Sequence, residues 1–260
     1  MPALNEEIVR EVQKRSASLS LPEVRTVAIS LGYTFVELSN DRMGVCFTAH
    51  SASPSCNHYH SAGSLRKKNI LELTELMLSD HPLERSVGIA AVTVVSQMIM
   101  DNEPDKYKFA KVDFLDLLPD GSKIGMVGYI GPFIPVLLKR YSSLIVVDNN
   151  PLLNPGIQDN GCIISRDIKD LSDADIWVIT GSCVAVGDFD QVISFVKSAK
   201  FIGIVGPSAG WLPEPAFRRG VNAVAGTKIL DVAGARHVIL EGGGAPDFMK
   251  YGRKYAIVKP

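Results

Sequence analysis

The chain has 260 residues, enough for one large core or two modest ones, since single cores stop growing at roughly 250 to 300 residues. With 46% hydrophobic and 21% charged residues and a net charge of -1, it lacks the basic excess that nucleic acid or an anionic membrane would demand. The opening MPALNEEIVREVQKR carries no apolar signal core, and the longest uncharged apolar run, Ser86 to Met100, falls short of the roughly 20 residues a bilayer needs, so a cytoplasmic protein is expected.

In chain order, a helix is predicted from about Asn5 to Ser18, with Ile8, Val9 and Val12 as its apolar stripe. The runs VRTVAIS, YTFVELS and MGVCFTAH then read as a three-stranded meander, broken at Gly32 and at the turn-prone SNDR. Two helices follow, LRKKNILELTELML and PLERSVGIAAVTVVSQMIM, the second with Asp80 as N-cap and Pro82 in its first turn. The charged, proline-bearing stretch DNEPDKYKFAKVDFLDLLPDGSK marks a boundary, giving an α+β domain over 1–112 and an α/β domain over 113–260.

From Lys123 onward, short apolar runs alternate with helix-length or loop segments: KIGMVGYI, SLIVVD, CIIS, DIWVITGS, FIGIVGPS, AVAG and HVILEGG. Strands so continuously apolar are covered on both faces, which predicts a doubly wound, mostly parallel α/β sheet of Rossmann-like type. Ligands of such sheets sit at the carboxyl edge, where strand order reverses. The loops expected there contribute Gly128, Tyr129 and Gly131, then Asp148 and Asn149. Thr180 and Ser182 come from the next loop, and Gly206, Pro207 and Ser208 from the last. Asp148 stands twenty positions after Gly128, where nucleotide folds place a ribose-binding carboxylate. The glycines at 125, 128 and 131 do not spell the G-x-G-x-x-G dinucleotide fingerprint. They also permit plain tight packing, with Asp148 capping the following turn, and both readings stay open.

A second cluster lies in GVCFTAHSASPSCNHYHSAG, where Cys46, His50, Cys56, His58 and His60 all occupy even positions. If Ser51 to Ser55 form a hairpin turn, the five side chains share one face, and thiolate with imidazole suits a transition metal ion such as zinc, copper or nickel. The spacing matches no established zinc signature, and a solvated polar loop is the other reading. The four cysteines form no C-x-x-C pair and read as free thiols. Cys183, at a strand end, is a weaker candidate nucleophile; His237 reads as a strand-edge residue. Glu241 and Asp247 flank a glycine run able to close over a cleft or to turn the chain. Trp177 is assigned to the core and Trp211 to the cleft rim.

The stretches YTFVELSNDRMGVCFTA, ILELTELMLSDHPLERSVGIAAV, VGYIGPF, LIVVDNNP, WVITGSCVAVGDFD and GIVGPSAGWLPEPAFRRGVNAVAGTKILD together resemble a family of bacterial and archaeal proteins of unknown function labelled "putative heavy-metal chelation". The resemblance runs over nearly the whole chain. It implies an N-terminal domain like that of enolase, a C-terminal Rossmann-like domain and an active site in the cleft between them, approached by Tyr33 and Thr34. Enolase chemistry is not implied, because the barrel that carries it is missing.

The leading expectation is a small polar or anionic ligand in the interdomain cleft, a metal-chelating metabolite or a metal complex. Two alternatives stand beside it: a nucleotide- or S-adenosylmethionine-dependent enzyme using Asp148, and a metal-sequestering module using the Cys46 to His60 segment. A homo-oligomer is compatible with the sequence.

Overall fold

The computed structural model describes residues 2–50, 58–196 and 198–260. Helix α1 (Leu4–Ser16) buries Ile8, Val9 and Val12 as its spacing demands, with acids in the first turn and Lys14 and Arg15 in the last, each favourable to the helix dipole. Strands β1 (Val24–Ile29), β2 (Tyr33–Leu38) and β3 (Met43–Phe47) form the expected antiparallel meander.

The next expected helix is broken into three pieces. Asn69 opens helix α2 (Ile70–Glu75) by accepting from the Glu72 amide at 3.0 Å, while Glu72 accepts from the Asn69 amide at 2.7 Å. This capping box restarts the helix between 3-10 turns at Leu65–Lys67 and Leu76–Leu78. Helix α3 (Pro82–Asn102) begins after His81 rather than Asp80. In length and composition it is apolar enough to cross a membrane, yet 83% of its apolar window is buried in the protein, as befits a core helix. Two glycines set its approach: a Cβ on Gly44 would lie 2.0 Å from the Ala90 carbonyl oxygen, and one on Gly88 would lie 1.9 Å from the Met77 amide nitrogen.

The second part runs β4 (Lys123–Val127), α4 (Ile134–Arg140), β5 (Ser143–Val147), β6 (Gly156–Ile157), β7 (Ile163–Ser165), β8 (Ile176–Thr180), α5 (Ser182–Val186) and α6 (Phe189–Ser194). It continues through β9 (Phe201–Val205), α7 (Glu214–Phe217), β10 (Ala223–Ile229), α8 (Val232–Leu240), α9 (Ala245–Phe248) and β11 (Gly252–Val258). The eight strands lie in the order β11-β10-β9-β8-β4-β5-β7-β6, parallel except for the outer pairs β10/β11 and β6/β7. One expectation is corrected here: HVIL is not a strand. It belongs to α8, opened by Asp231, whose carboxylate accepts from the Gly234 amide at 2.9 Å, so His237 sits in a helix.

The two parts share buried surface along α1 and α3. Leu4 donates its amide to Asp190 at 2.9 Å, and Gln97 of α3 donates to the Thr227 carbonyl at 3.0 Å. Buried Glu7 accepts from Arg218 at 2.7 Å and lies 3.0 Å from Arg219. Arg15 bridges Glu103 and Glu214, each at 2.7 Å, and Arg236 of α8 reaches buried Glu37 at 2.9 Å. Phe109, before the expected domain boundary, already bridges Ile257 of β11.

Candidate functional site

The carboxyl ends of β4, β5, β8 and β9 open into a cavity of about 1890 Å³. Its far wall comes from the small sheet through Gly32, Tyr33 and Phe47. The sheet order reverses between β4 and β8, so the loops after these strands flank the crevice, as doubly wound sheets dictate, with the loop after β5 beside them.

The loop after β4 turns through Gly128, whose φ of +84° belongs to the left-handed region; a Cβ there would lie 2.3 Å from Thr180 Cγ2. Its amide donates to the Val147 carbonyl at 2.8 Å, which locks the end of β4 against β5. Asp148, directly after β5, accepts from the Tyr129 amide at 2.6 Å through Oδ2 and from the Asn150 amide at 2.7 Å through Oδ1. Its carboxylate thus fixes both loops, while a carboxylate offers about four acceptor positions and keeps capacity for a ligand hydroxyl. Arg166 follows β7 and donates to the carbonyls of Asp148, Asn150 and Leu153, tying the loop after β5 to the edge of the sheet.

Pro132 lies in a short 3-10 turn (Gly131–Phe133) ahead of α4 rather than inside the helix. Tyr129 projects over Gly131, and Phe114 stacks on Phe133 with ring centres 6.1 Å apart, forming an apolar wall. Tyr33 packs edge-on against Phe248 at 4.7 Å; burial, then the nearby Cys46 thiol, pushes its phenol above the ordinary range.

Of the residues expected at this edge, Gly128, Tyr129, Gly131, Asp148 and Asn149 line the cavity. Thr180, Ser182, Gly206 and Pro207 line it as well. Ser208 does not: it is buried, and its hydroxyl accepts from the Phe47 amide at 2.8 Å at the seam between the parts. Thr34 is likewise buried, bonded to Thr48 at 2.9 Å. Trp211 is buried rather than at a rim, its indole donating to the Ser208 carbonyl at 3.0 Å. Cys183 lines the cavity, but burial, with Asp188 and Asp190 nearby, pushes its thiol up to about 12, the opposite of an activated nucleophile. The acids beside the glycine run turn the chain instead of facing the cavity. Glu241 ends α8, and Asp247 accepts from the Gly244 amide at 3.0 Å to cap α9, while Ala245 and Pro246 border the cavity.

The turn of the expected hairpin, Ser51 to Ser55, lies outside the described residues, and residues 48–50 and 58–60 on either side are in no strand. Cys46 is enclosed in the core with Sγ 3.2 Å from the Phe47 carbonyl; burial, only partly offset by the Ser208 hydroxyl, pushes its thiol up to about 12. His50 is exposed, with Nε2 3.1 Å from the Leu31 carbonyl oxygen. The rings of His58 and His60 lie 4.4 Å apart, edge to face, outside any strand, with His60 at the start of a turn. Cys56 lies outside the described residues. Among those described, no group of three or more His, Cys, Asp or Glu side chains is arranged to hold a metal ion.

A three-stranded meander with its helices, set against a mostly parallel sheet whose carboxyl edge opens into a shared cavity, defines a two-part α/β protein with a ligand-sized cleft. Residues 112–258 match the DUF364 family and residues 15–96 the DUF4213 family, both described as "Putative heavy-metal chelation". The chain belongs to the DUF364 family. It is similar to a solved DUF364 protein of unknown function from Pyrococcus horikoshii, with a TM-score of 0.77, 21% identity, and 98% of this chain and 100% of that one covered. A second, from Desulfitobacterium hafniense, gives a TM-score of 0.71 at 16% identity, covering 98% and 99%. An uncharacterized protein of Methanocaldococcus jannaschii is 26% identical over 241 residues, 86% of this chain and 88% of that protein.

Proposed function

We propose that this protein binds a small polar or anionic molecule in the cavity between its two parts, and that handling of a metal-chelating metabolite takes place there. The observation that supports this best is convergence: loops from four parallel strands and the Gly32, Tyr33 and Phe47 wall of the small sheet face one cavity of about 1890 Å³. Large, mostly preformed clefts with a few convergent polar groups are where small ligands bind. The enclosed Cys46 thiol favours the cavity over the Cys46 to His60 segment as the working site.

Asp148 supports a second reading, a nucleotide- or S-adenosylmethionine-dependent enzyme. It follows β5, the neighbour of β4 beside the switch point, and keeps acceptor capacity beside its two amide bonds. Thermal-shift measurements with nucleosides, nucleotides, S-adenosylmethionine and multidentate carboxylate chelators test both readings. A ligand at a hundred times its dissociation constant adds about 2.7 kcal/mol to stability, a plain rise in melting temperature. The rise should vanish in Tyr129→Ala, whose side chain is half exposed in the cavity. No rise across the whole panel would sink the cavity reading.

A further inference from the structure

We propose that the end of the cavity bounded by β10 and β11 is a separate anion subsite, taking a molecule with at least two negative charges carried by phosphate or carboxylate groups. This rests on the cavity reading above. Three lysines line that end: Lys111, Lys250 and Lys254. They come from two distant stretches of chain that the fold brings together. Lys250 lies in the 3-10 turn Met249–Tyr251 that leads into β11, and Lys254 lies in β11 opposite Thr227. The bridge between Phe109 and Ile257, with the Ala110 amide donating to the Ala256 carbonyl at 2.8 Å, carries Lys111 alongside the same strand.

None of the three ammonium groups forms an ion pair with a described carboxylate; Lys250 has only the Tyr251 ring, 5.5 Å from its centroid. Elsewhere Lys106, Lys123, Lys200 and Lys228 each have an acidic partner. Asp113, Asp148, Asp167 and Asp188 line the cavity, and none of them is ion-paired with a lysine of the trio. Asp113 accepts from the Leu115 amide at 3.3 Å, Asp167 from the Lys169 amide at 2.9 Å, and Asp148 from two amides at the other end. The ends of β5 and β10 are four strand spacings apart in the sheet order, roughly 19 Å at about 4.8 Å each. The cavity therefore holds Asp148 with its amide donors and Arg166 at one end, and three lysines without ion-pair partners among the described residues at the other.

Like charges gathered at a cleft wall of Val112 and Met249 repel one another and attract an oligoanion, which relieves the repulsion through charge-assisted hydrogen bonds. The test is calorimetric titration of the full chain with citrate, inorganic pyrophosphate and, as a neutral probe, adenosine. Saturable binding of one or both anions is expected, weakened at least tenfold in K111Q/K250Q/K254Q and within threefold of wild type in K111R/K250R/K254R. All three lysines are exposed, so an unchanged melting temperature without ligand shows that each variant is folded. The stronger of the two anions assigns the subsite to carboxylate or to phosphate. Wild-type affinity in the glutamine variant, or adenosine binding with neither anion bound, overturns the anion subsite alone. Silence from all three probes overturns it together with the cavity reading.

Discussion

The Phe47 amide donates to the Ser208 hydroxyl at 2.8 Å, so the last residue of β3 is fastened to the turn that follows β9. Ser208→Ala leaves a buried amide without its acceptor, which costs about 1 to 3 kcal/mol. Urea unfolding should show that loss. An unchanged midpoint would mean that the seam does not depend on this bond.

Gly128→Ala combines a left-handed backbone with a Cβ 2.3 Å from Thr180 Cγ2. A loss of about 1 to 3 kcal/mol is expected, because neither the turn nor the β8 end can relax freely. The same variant should lose any ligand-induced thermal shift. Stability equal to wild type would show that the loop can rearrange.

Cys46 and Cys183 should resist alkylation by iodoacetamide at pH 8 in the folded protein and react after unfolding, read by peptide mass mapping. Both thiols are buried and pushed up to about 12, so the folded state holds their protons more firmly than the unfolded chain. Their stabilisation is complete below the unfolded thiol pKa of about 8.5 and is lost as pH rises toward 12. Denaturation midpoints that stay level from about pH 8 to 11 would contradict this.

Glu7 behaves in the opposite sense. Burial opposes its ionisation, but hydrogen bonds from Arg218 and Arg219 outweigh it and hold the carboxyl below its ordinary range. Its contribution is present above the unfolded glutamate pKa of about 4.3 and is lost as pH falls through the lower folded value. Glu7→Gln takes the carboxylate from half-exposed Arg218 and from Arg219, which keeps Asp190 at 3.1 Å, and should cost about 1 kcal/mol and flatten the acid limb of the stability curve. An unaltered acid limb would assign that limb to other carboxylates.

The meander, α3 and the parallel strands are legible in the sequence because β-branched runs and a long apolar helix leave a strong periodic signal. HVIL reads as a strand because a short apolar run looks alike in strand and helix; Asp231, three residues before Gly234, is the capping signal that separates them. Strand β11 escapes notice because RKYAIV is charged at its exposed start and apolar only toward its end. At the site, strand-end loops can be placed from topology alone. Ser208 cannot, since the 3-10 turn Pro207–Ala209 rotates it toward Phe47. Lys111 stands far from Lys250 and Lys254 in sequence and comes to the same cavity only through the pairing of the 109–110 segment with β11.

The first helix finds its partners almost at the other end of the chain: Leu4 reaches Asp190, Glu7 reaches Arg218, and Arg15 reaches Glu214. On a ribosome, α1 emerges long before those residues exist. Its packing on α3 can form early, but these bonds must wait until most of the chain has been synthesised. A truncation that removes the chain from α6 onward should therefore unsettle this helix, although it is made well before the residues removed.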